Sequence, residues 1–383
     1  MDLTGAKRGV LAVKGKYGQV VSAVEKALSG RSEASRQRLE VARLPNTYPT
    51  GDEFVLVQEV LGRTIPELGL PLHVGVVVSN VASLRAVARA LHHGEPLTRR
   101  LVTVLGEVAR PVTLEVPLGT PLSALIEAAG GTRLDHPHFI VGGPMMGSHT
   151  EDPSVSVQKT TSGLFVLRED HPVVRRRLIE FTARLRMAQA ACCLCNECTQ
   201  VCPRNTLGHR IYPDRLMRSM AAGVSHDLQS YVGAFYCCEC GLCTVYGCPM
   251  YLDPCGMNIE IKTRLREAGV EPPSNETSTP SPFFASKQVP TNRLISRLGL
   301  TAFETQTPLE NLSQLPARLT LSFKQGVGAP SRPLVKKGQR VARGERLAEP
   351  GGFVSAALHA SADAVVEAVD DEKVILKTSG GPA

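Results

Sequence analysis

The sequence predicts a multidomain protein that combines α/β and α+β folds. Three observations support this fold class. Apolar strands alternate with amphipathic helices in residues 1–100, two similar cysteine runs occupy residues 192–248, and residues 314–383 contain short β-segments separated by turns. A length of 383 residues is also enough for several domains, each with a hydrophobic core of its own.

Residues 1–100 predict a partial Rossmann-like α/β domain. Gly9–Lys14 has the composition of a buried strand, and residues 17–29 have apolar side chains at helical spacing. A second helix is predicted from Asp52, a second strand at Val74–Val78 and a further helix from Val81. Because strands that alternate with helices usually pair in parallel, we expect a mostly parallel sheet.

Residues 101–170 predict a small β-grasp-like domain, in which a sheet is crossed by one helix. The predicted helix is 121–129, and it ends at Gly130-Gly131. The predicted strands are Leu101–Val104, Val112–Val116, His138–Val141 and Leu164–Leu167. Gly142–Gly147 is predicted to be a tight turn, with ligand binding as the alternative interpretation.

The two cysteine runs predict two 4Fe–4S clusters. Each run has three cysteines at steps of three residues and a fourth cysteine just before a proline, Cys202-Pro203 in one run and Cys248-Pro249 in the other. In bacterial two-cluster ferredoxins the three closely spaced cysteines bind one cubane, and the fourth reaches the other cluster. The predicted ligand sets are therefore Cys192, Cys195, Cys198 and Cys248 for one cluster, and Cys237, Cys240, Cys243 and Cys202 for the other.

Other uses of these cysteines agree less well with the pattern. A structural zinc ion needs four ligands, so a duplicated run has too many thiols for one such site. Disulfides need an oxidising compartment, and the sequence after Met1 does not resemble a signal peptide. Of the 11 cysteines, Cys193, Cys238 and Cys255 are left over. They are interpreted as buried or spare thiols, with ligand substitution or redox sensing as alternatives.

Composition limits the possible partners. Charged residues make up 21% of the chain, apolar residues 43% and aromatic residues 4%, and the net charge is +7. The sequence contains no tryptophan. Basic and aromatic residues are not interleaved, so we do not expect nucleic-acid binding. No apolar run approaches the length of a transmembrane segment. Arg175-Arg176-Arg177 is interpreted as a solvated helix face, with steering of an acidic redox partner as the alternative.

The C-terminal part is predicted to be a linker followed by a β-domain. Residues 269–313 begin with a stretch rich in proline, serine and threonine, which predicts an extended linker. In residues 314–383, the segment Val335–Gly344 resembles the first hairpin of biotinyl and lipoyl carrier domains. Leu358–Asp363, which matches the carrier segment that holds the modified lysine, contains no lysine. We therefore expect the carrier fold without the carrier function.

Taken in order, these motifs resemble the RnfC family of Rnf electron-transport complexes, and within it the cobalamin reductases of propanediol-utilisation microcompartments. The resemblance implies the C-terminal half of a complex I flavin-subunit-like domain in 1–100 and an SLBB-like β-grasp in 101–170. It further implies a helical two-cluster ferredoxin-type domain in 171–268 and an RnfC-like barrel-sandwich hybrid in 314–383. The matching segments are Leu44–Glu53, Gly75–Val81, Gly142–Gly147, both cysteine runs and Lys324–Pro330.

The resemblance to the flavin subunit of complex I implies an FMN and nicotinamide pocket. The residues that it implies are Tyr48, Gly51, Asp52, Glu53 and Asn80. The family's flavin domain opens with a GxGGxGFPT-like loop followed by an Asn-x-x-Glu segment, and neither is present in this sequence. We therefore expect half of a flavin site, in a chain that is either a fragment or has lost the phosphate-binding loop.

The resemblance implies electron transfer from NADH through FMN and two 4Fe–4S clusters to a corrinoid or a redox partner. FMN would divide the hydride's two electrons, because each cubane accepts one at a time. The expected location is the cytoplasm, and the resemblance to the cobalamin reductases implies a bacterial microcompartment there. The partners that it implies are a shell protein or a cobalamin adenosyltransferase. The alternatives are the peripheral RnfC component of a membrane Rnf-type complex and a non-enzymatic relay that receives electrons from a partner's flavin.

Overall fold

A computed structural model describes residues 3–224, 226–273 and 276–380. The chain forms two compact units, and each unit is built from two segments. The first unit comprises Met1–Val78 and Ile179–Leu300, and the second comprises Ser79–Leu178 and Thr301–Ala383. Within the described ranges, no helix has the length and apolar character needed to cross a bilayer.

Helices dominate the first unit, as predicted for the region around the cysteines. The α-helices of the described residues are α1 (Gly18–Ser29), α2 (Glu33–Arg38), α3 (Glu53–Leu61), α4 (Val81–His93), α5 (Leu122–Ala128), α6 (Pro172–Leu178), α7 (Phe181–Ala191), α8 (Glu197–Gln200), α9 (Pro203–Thr206), α10 (Pro213–Ala222), α11 (Leu228–Val232), α12 (Pro254–Glu267) and α13 (Thr291–Arg297). Helix α13 lies inside the predicted linker and has Leu294 buried.

Short strands are spread over both units. In the described residues they are β1 (Gly9–Lys14), β2 (Leu39–Leu44), β3 (Thr47–Tyr48), β4 (Arg99–Gly106), β5 (Val112–Pro117), β6 (His138–Val141), β7 (Ser148–Thr150), β8 (Gly163–Leu167), β9 (Val289–Pro290), β10 (Leu309–Asn311), β11 (Arg318–Ser322), β12 (Arg332–Pro333), β13 (Arg340–Val341), β14 (Arg346–Glu349), β15 (Leu358–His359), β16 (Ala364–Val369) and β17 (Lys373–Thr378).

The α/β part of the first unit has a smaller sheet than predicted. Strands β1 and β2 pair in parallel, but they form a two-stranded sheet. The prediction of a strand at Val74–Val78 is wrong. A single 3-10 turn, Pro71–Val74, ends at Gly75 in the left-handed conformation, and the following backbone joins no sheet. The alternating valines of this segment nevertheless pack against a core that contains Phe54, so the apolar pattern reflects burial without strand pairing.

Three helices form the core next to the cysteine runs. Helices α7, α10 and α12 contact one another, and α10 contributes Leu216, Met217 and Met220 to their shared core. Cys248 belongs to the same buried cluster. Helix α10, which lies between the two cysteine runs, therefore buries an apolar face in this core and helps to exclude water from it.

The second unit is built around a six-stranded sheet with the order β10-β5-β4-β8-β6-β7. Helix α5 packs on this sheet, as a β-grasp requires, and its Leu122 and Leu125 are fully buried. The turn at Gly142–Gly147 is held by Arg177, whose guanidinium donates to the carbonyls of Gly147 and Pro144 at 3.1 and 2.9 Å. Strands β7 and β10 are additions to the prediction.

The C-terminal strands share one hydrophobic core with the β-grasp sheet. They form a four-stranded sheet, β11-β17-β16-β13, and a three-stranded sheet, β12-β14-β15. Gly119 has a φ of +88°, and a Cβ at this position would lie 3.0 Å from the backbone nitrogen of Thr320. Ser361 donates to the carbonyl of Leu118 at 2.6 Å. The predicted multidomain fold class is confirmed, with these two domains packed together in one unit.

We expect a Gly106→Ala substitution to destabilise the second unit strongly. Gly106 ends β4 with a φ of +97°, and a Cβ would lie 2.1 Å from the carbonyl oxygen of Val166 on the paired strand β8. Left-handed strain and the displaced strand together should cost about 3 kcal/mol. Gly131 also has a positive φ, +82°, but has open space around it. Gly131→Ala should therefore lower the melting temperature much less, and equal shifts would contradict the steric argument.

Candidate redox site

The two cysteine runs adopt the same backbone conformation. Leu194 and Asn196 have φ values of 57° and 60°, and in the second run Glu239 and Gly241, at the same positions after the first cysteine, have 59° and 78°. Non-glycine residues rarely adopt this left-handed conformation, and they do so mainly where a site requires it. The repeated conformation turns each loop so that its cysteines lie on one side.

Four thiols of the first predicted set line one apolar pocket. The pocket contains Cys192, Cys195, Cys198 and Cys248, with Met217 and Leu252 among the apolar side chains around them. Cys192 follows the end of α7, and Cys198 lies in α8. The fourth cysteine of the second run is thus placed with the three closely spaced cysteines of the first run.

The thiols of the second predicted set are close to one another and well shielded. Cys202, Cys240 and Cys243 are 7–8% exposed. Burial, with smaller contributions from the nearby Cys238 and Cys237, raises the pKa of Cys202 to about 12. Burial also raises the pKa of Cys198 to about 12. Thiols of this kind are neutral on their own and become thiolates when a metal centre supplies the opposing positive charge.

The spacing of the sulfurs fits a cubane better than a zinc ion. A tetrahedral zinc ion with zinc–sulfur distances of about 2.3 Å holds its thiolates about 3.8 Å apart. Over the described parts of the chain, the group of three His, Cys, Asp or Glu ligand atoms that all lie within 4.8 Å of one another contains no cysteine. No three of the described thiols are therefore gathered as closely as a zinc ion would hold them.

Two cysteines that were interpreted as spare thiols lie against the second set. Cys255, near the start of α12, is 7% exposed and hydrogen-bonded to both Cys237 and Cys243. Cys238 is hydrogen-bonded to Cys240, and this bond, together with the charge of Arg204, lowers the pKa of Cys238 to about 7. The sequence contained no signal for these contacts beyond the cysteines themselves.

Two of the residues implied for flavin binding touch the second cysteine run or its neighbours. The hydroxyl of Tyr48 donates to the carbonyl of Cys240 at 3.0 Å. Asp52 caps α3 by accepting from two backbone N–H groups. Its carboxylate also accepts two hydrogen bonds from Arg204, at 2.6 and 2.9 Å. Arg204 is 7% exposed and lies 3.8 Å from the centre of the Phe54 ring.

The other three implied residues have different surroundings. Gly51 is exposed, and a Cβ there would meet no atom within 4 Å. Glu53 is half-buried in the first turn of α3. Asn80 belongs to the second unit, where its side chain caps α4 by accepting from Ala82 N–H at 2.9 Å. Tyr48, Gly51, Asp52 and Glu53 are thus contiguous around the start of α3.

A polar network next to Tyr48 offers unused acceptors. The side-chain oxygen Oδ1 of Asn46 and the carboxylate oxygen Oε2 of Glu59 are buried without a hydrogen-bond partner. Burial raises the pKa of Glu59, while the amide of Gln288 and the charge of Lys14 lower it in part. Lys14 Nζ donates to the carbonyl of Thr47 at 2.8 Å. Buried acceptors usually have partners, so these two oxygens are exceptions among the described residues.

Four family models match the chain, and together they cover most of it. They are the Nuo51 FMN-binding domain over residues 1–89, the SLBB domain over 101–148, the 4Fe-4S dicluster domain over 191–253 and the RnfC barrel sandwich hybrid domain over 301–380. The predicted electron-transfer function, with FMN and 4Fe–4S clusters as cofactors, is confirmed at this level.

Relatives match over nearly the whole chain. "Cobalamin reductase PduS" of Citrobacter freundii is 36% identical over 98% of this chain and 81% of the relative, and the Salmonella typhimurium protein of the same name is 37% identical over the same shares. A component of the ion-translocating oxidoreductase complex of Rhodobacter capsulatus is 32% identical, over 52% of this chain and 36% of that protein. The chain therefore belongs to the family of the PduS cobalamin reductases, and it shares its domains with RnfC.

Proposed function

We propose that this protein is a reductase that passes electrons from NADH, through FMN and two 4Fe–4S clusters, to a corrinoid. The observation that carries the proposal is a contact between Tyr48 and the second cysteine run. The hydroxyl oxygen of Tyr48 lies 3.0 Å from the carbonyl oxygen of Cys240. Through this contact, the segment implied for flavin binding lies directly against the second cysteine run. The relatives named as cobalamin reductases supply the acceptor.

We propose that each cluster is bound by three cysteines of one run and the fourth cysteine of the other run, and we call these ligand sets crossed. The shared pocket of Cys192, Cys195, Cys198 and Cys248 supports the first set. The mutual proximity of Cys202, Cys237, Cys240 and Cys243 supports the second. Each cluster would then take three ligands from one run and one from the other, which holds both runs in a fixed geometry.

The flavin residues that we propose in the first unit are Tyr48, Gly51, Asp52 and Glu53, and Asn80, in the second unit, is a separate residue that the resemblance implies. When bound, FMN supplies the conversion of a two-electron hydride donor into single electrons. Tyr48 and Asp52 orient the segment: burial and then the neighbouring Cys240 thiol raise the pKa of Tyr48, so its hydroxyl stays a donor.

The contacts also suggest an order for the two clusters. Tyr48 and Asp52 lie beside residues of the second set, either directly or through Arg204, which is two residues after Cys202 in sequence. Electrons that leave a flavin held by this segment would therefore reach the cluster of Cys202, Cys237, Cys240 and Cys243 first. Burial of these thiols and their hydrogen bonds would tune that cluster's potential.

A second candidate function is that of the RnfC component in an Rnf-type complex. The match to the Rhodobacter capsulatus protein over half of this chain favours this candidate. In such a complex the same cofactors would pass electrons to a different acceptor. A non-enzymatic relay is the third candidate. Association with a microcompartment, its shell or a cobalamin adenosyltransferase is the more specific form of the first proposal, and membrane partners would belong to the second.

We expect NADH to bleach the iron–sulfur absorption of the protein when FMN is present. The experiment uses cluster-loaded protein under anaerobic conditions, with dithionite as the control that shows intact clusters. A Glu53→Gln variant should keep its iron and its response to dithionite but respond more weakly to NADH, because it has lost an acceptor charge for the ligand. Bleaching by dithionite alone would reject the reductase and favour the relay.

We also expect Cys255→Ala to shift the potential of the second cluster without removing it. The Cys255 thiol is hydrogen-bonded to Cys243 and Cys237, and donors to cluster sulfur stabilise the more negative reduced state. Its removal should make the midpoint potential more negative in a titration followed by electron paramagnetic resonance. Cys193→Ala, at an exposed cysteine, is the matched control. Loss of half of the iron would instead identify Cys255 as a ligand.

A further inference from the structure

We propose that His138, His149 and Glu151 form a binding site for a divalent transition-metal ion in the second unit. One ligand atom from each side chain lies within 4.8 Å of the other two. Nδ1 of His138 is 2.9 Å from Nε2 of His149 and 3.7 Å from a carboxylate oxygen of Glu151. This site is separate from the cysteine runs and does not depend on the proposed reductase activity.

Sheet register places the three side chains on one face. Strands β6 and β7 are antiparallel, with Ile140 opposite His149 and Phe139 opposite Thr150. Continuing this register places His138 opposite Glu151, and His138 is two residues from Ile140 on the same face. Phe139 alternates to the other face and belongs to the hydrophobic core. The hairpin therefore presents two imidazoles and a carboxylate together.

The distances suit a metal ion with small adjustments. A zinc ion binds histidine nitrogen and carboxylate oxygen at about 2.0–2.2 Å, so tetrahedral ligand atoms are about 3.3 Å apart. The observed separations of 2.9 and 3.7 Å bracket this value. His138 is 6% exposed, which limits its freedom, whereas the Glu151 side chain is 66% exposed and can move to complete the site.

The site opens into a cleft with acidic walls. The cleft has a volume of about 770 Å³, and His138 and Glu151 line it together with Glu127, Asp135 and His136. Three protein ligands leave at least one position of a tetrahedral ion for water or another small ligand. The carboxylates favour a cation in the cleft. Two imidazoles with one carboxylate are typical of zinc or ferrous iron rather than calcium or magnesium.

The neighbouring turn holds β7 in place. Arg177 donates to the carbonyls of Gly147 and Pro144, at 3.1 and 2.9 Å, immediately before β7 begins at Ser148. Its guanidinium is thus engaged with the backbone and fixes the position from which His149 extends.

The test uses cluster-loaded protein, so that the cysteine thiols are already occupied. The protein is treated with a chelator, equilibrated anaerobically with zinc sulfate and desalted, and its zinc and iron are measured by mass spectrometry. We expect about one retained zinc ion per chain, with nitrogen and oxygen ligands in the zinc X-ray absorption spectrum. His149→Gln and Glu151→Gln should each weaken zinc binding at least about tenfold.

His136→Gln is the matched control, because His136 lines the same cleft outside the set of three ligands. This variant should retain zinc like the unchanged protein. Equal iron content and equal melting temperatures will show that all variants are folded and loaded. Failure of the unchanged protein to retain zinc, sulfur ligands in the absorption spectrum, or equal zinc binding by His149→Gln would each overturn the proposal.

Discussion

Cys202→Ala is expected to abolish the cluster of the second cysteine run, although Cys202 ends the first run. Cys202 is 8% exposed, and the charges that act on its thiol come from Cys238 and Cys237. It lies directly before Pro203, the first residue of α9. Because Cys202 shares a buried cluster with Cys237 of the second run, iron should fall from about eight to about four atoms per chain.

The crossed arrangement predicts which single variants should lose the same cluster. In electron paramagnetic resonance, Cys202→Ala and Cys240→Ala should both retain only the signal of the first cluster. Cys248→Ala and Cys195→Ala should both retain only the signal of the second cluster. Cys193→Ala is the control and should keep both signals. If Cys202→Ala instead shared its residual signal with Cys195→Ala, each run would hold its own cluster and the proposed ligand sets would be wrong.

Cys238 complicates the simplest form of this experiment. Its thiol is hydrogen-bonded to Cys240 and has a pKa lowered to about 7, so it can ionise and replace a missing ligand. The double variant Cys202→Ala/Cys238→Ala removes this substitute. Full iron content in the double variant would exclude Cys202 from the ligand set.

The redox chemistry was predictable because its signal is local. Each cysteine run is a short segment whose spacing is dictated by the cubane. In the structure both runs have a left-handed φ at the same two positions after the first cysteine. Strand β1 was predicted with its observed bounds for a similar reason, since an apolar run of six residues carries its own signal. The family resemblance added the domain types, which spacing alone does not provide.

Long-range contacts were not predictable from single residues. Asp52 has the sequence context of a helix start, and it does cap α3, but its bidentate contact with Arg204 joins residues 152 positions apart. Val74–Val78 has an apolar pattern that fits a strand, yet no neighbouring strand is available to pair with it. His138 and His149 came together through β7, a strand of three residues that is too short to show a period.

The ion pair of the buried Glu67 and the partly exposed Arg210 provides a second prediction with a large expected effect, this time on stability. Glu67 is 1% exposed and accepts from the side chain of Arg210 at 2.6 Å and from its backbone N–H. Burial alone raises the pKa of Glu67, but the hydrogen bonds and charge of Arg210 outweigh it and hold the pKa below its ordinary value. The carboxylate is therefore ionised in the folded protein.

Arg210→Met should lower stability by about 3 kcal/mol at neutral pH, because it leaves a buried carboxylate without its cation. That loss corresponds to a fall in melting temperature of about 6–10 °C for a unit of this size. Glu276→Gln removes a second partner of Arg210, at 2.8 Å, whose side chain is 55% exposed. This control should cost less than about 1 kcal/mol.

The pH dependence distinguishes the pair from a general packing defect. In the unchanged protein the lowered pKa of Glu67 contributes stability above the unfolded value of about 4.3, and this contribution is lost as the pH falls through the folded pKa. In Arg210→Met the charge and the side-chain hydrogen bonds of Arg210 are lost, and only the backbone N–H of residue 210 and Tyr236 still oppose burial, so the pKa of Glu67 should rise above its value in the unchanged protein and ionised Glu67 should contribute less stability. The gap in melting temperature should therefore narrow from about pH 8 to about pH 5. A gap that stays constant over this range would mean that Arg210 stabilises the unit through packing and not through the charge of Glu67.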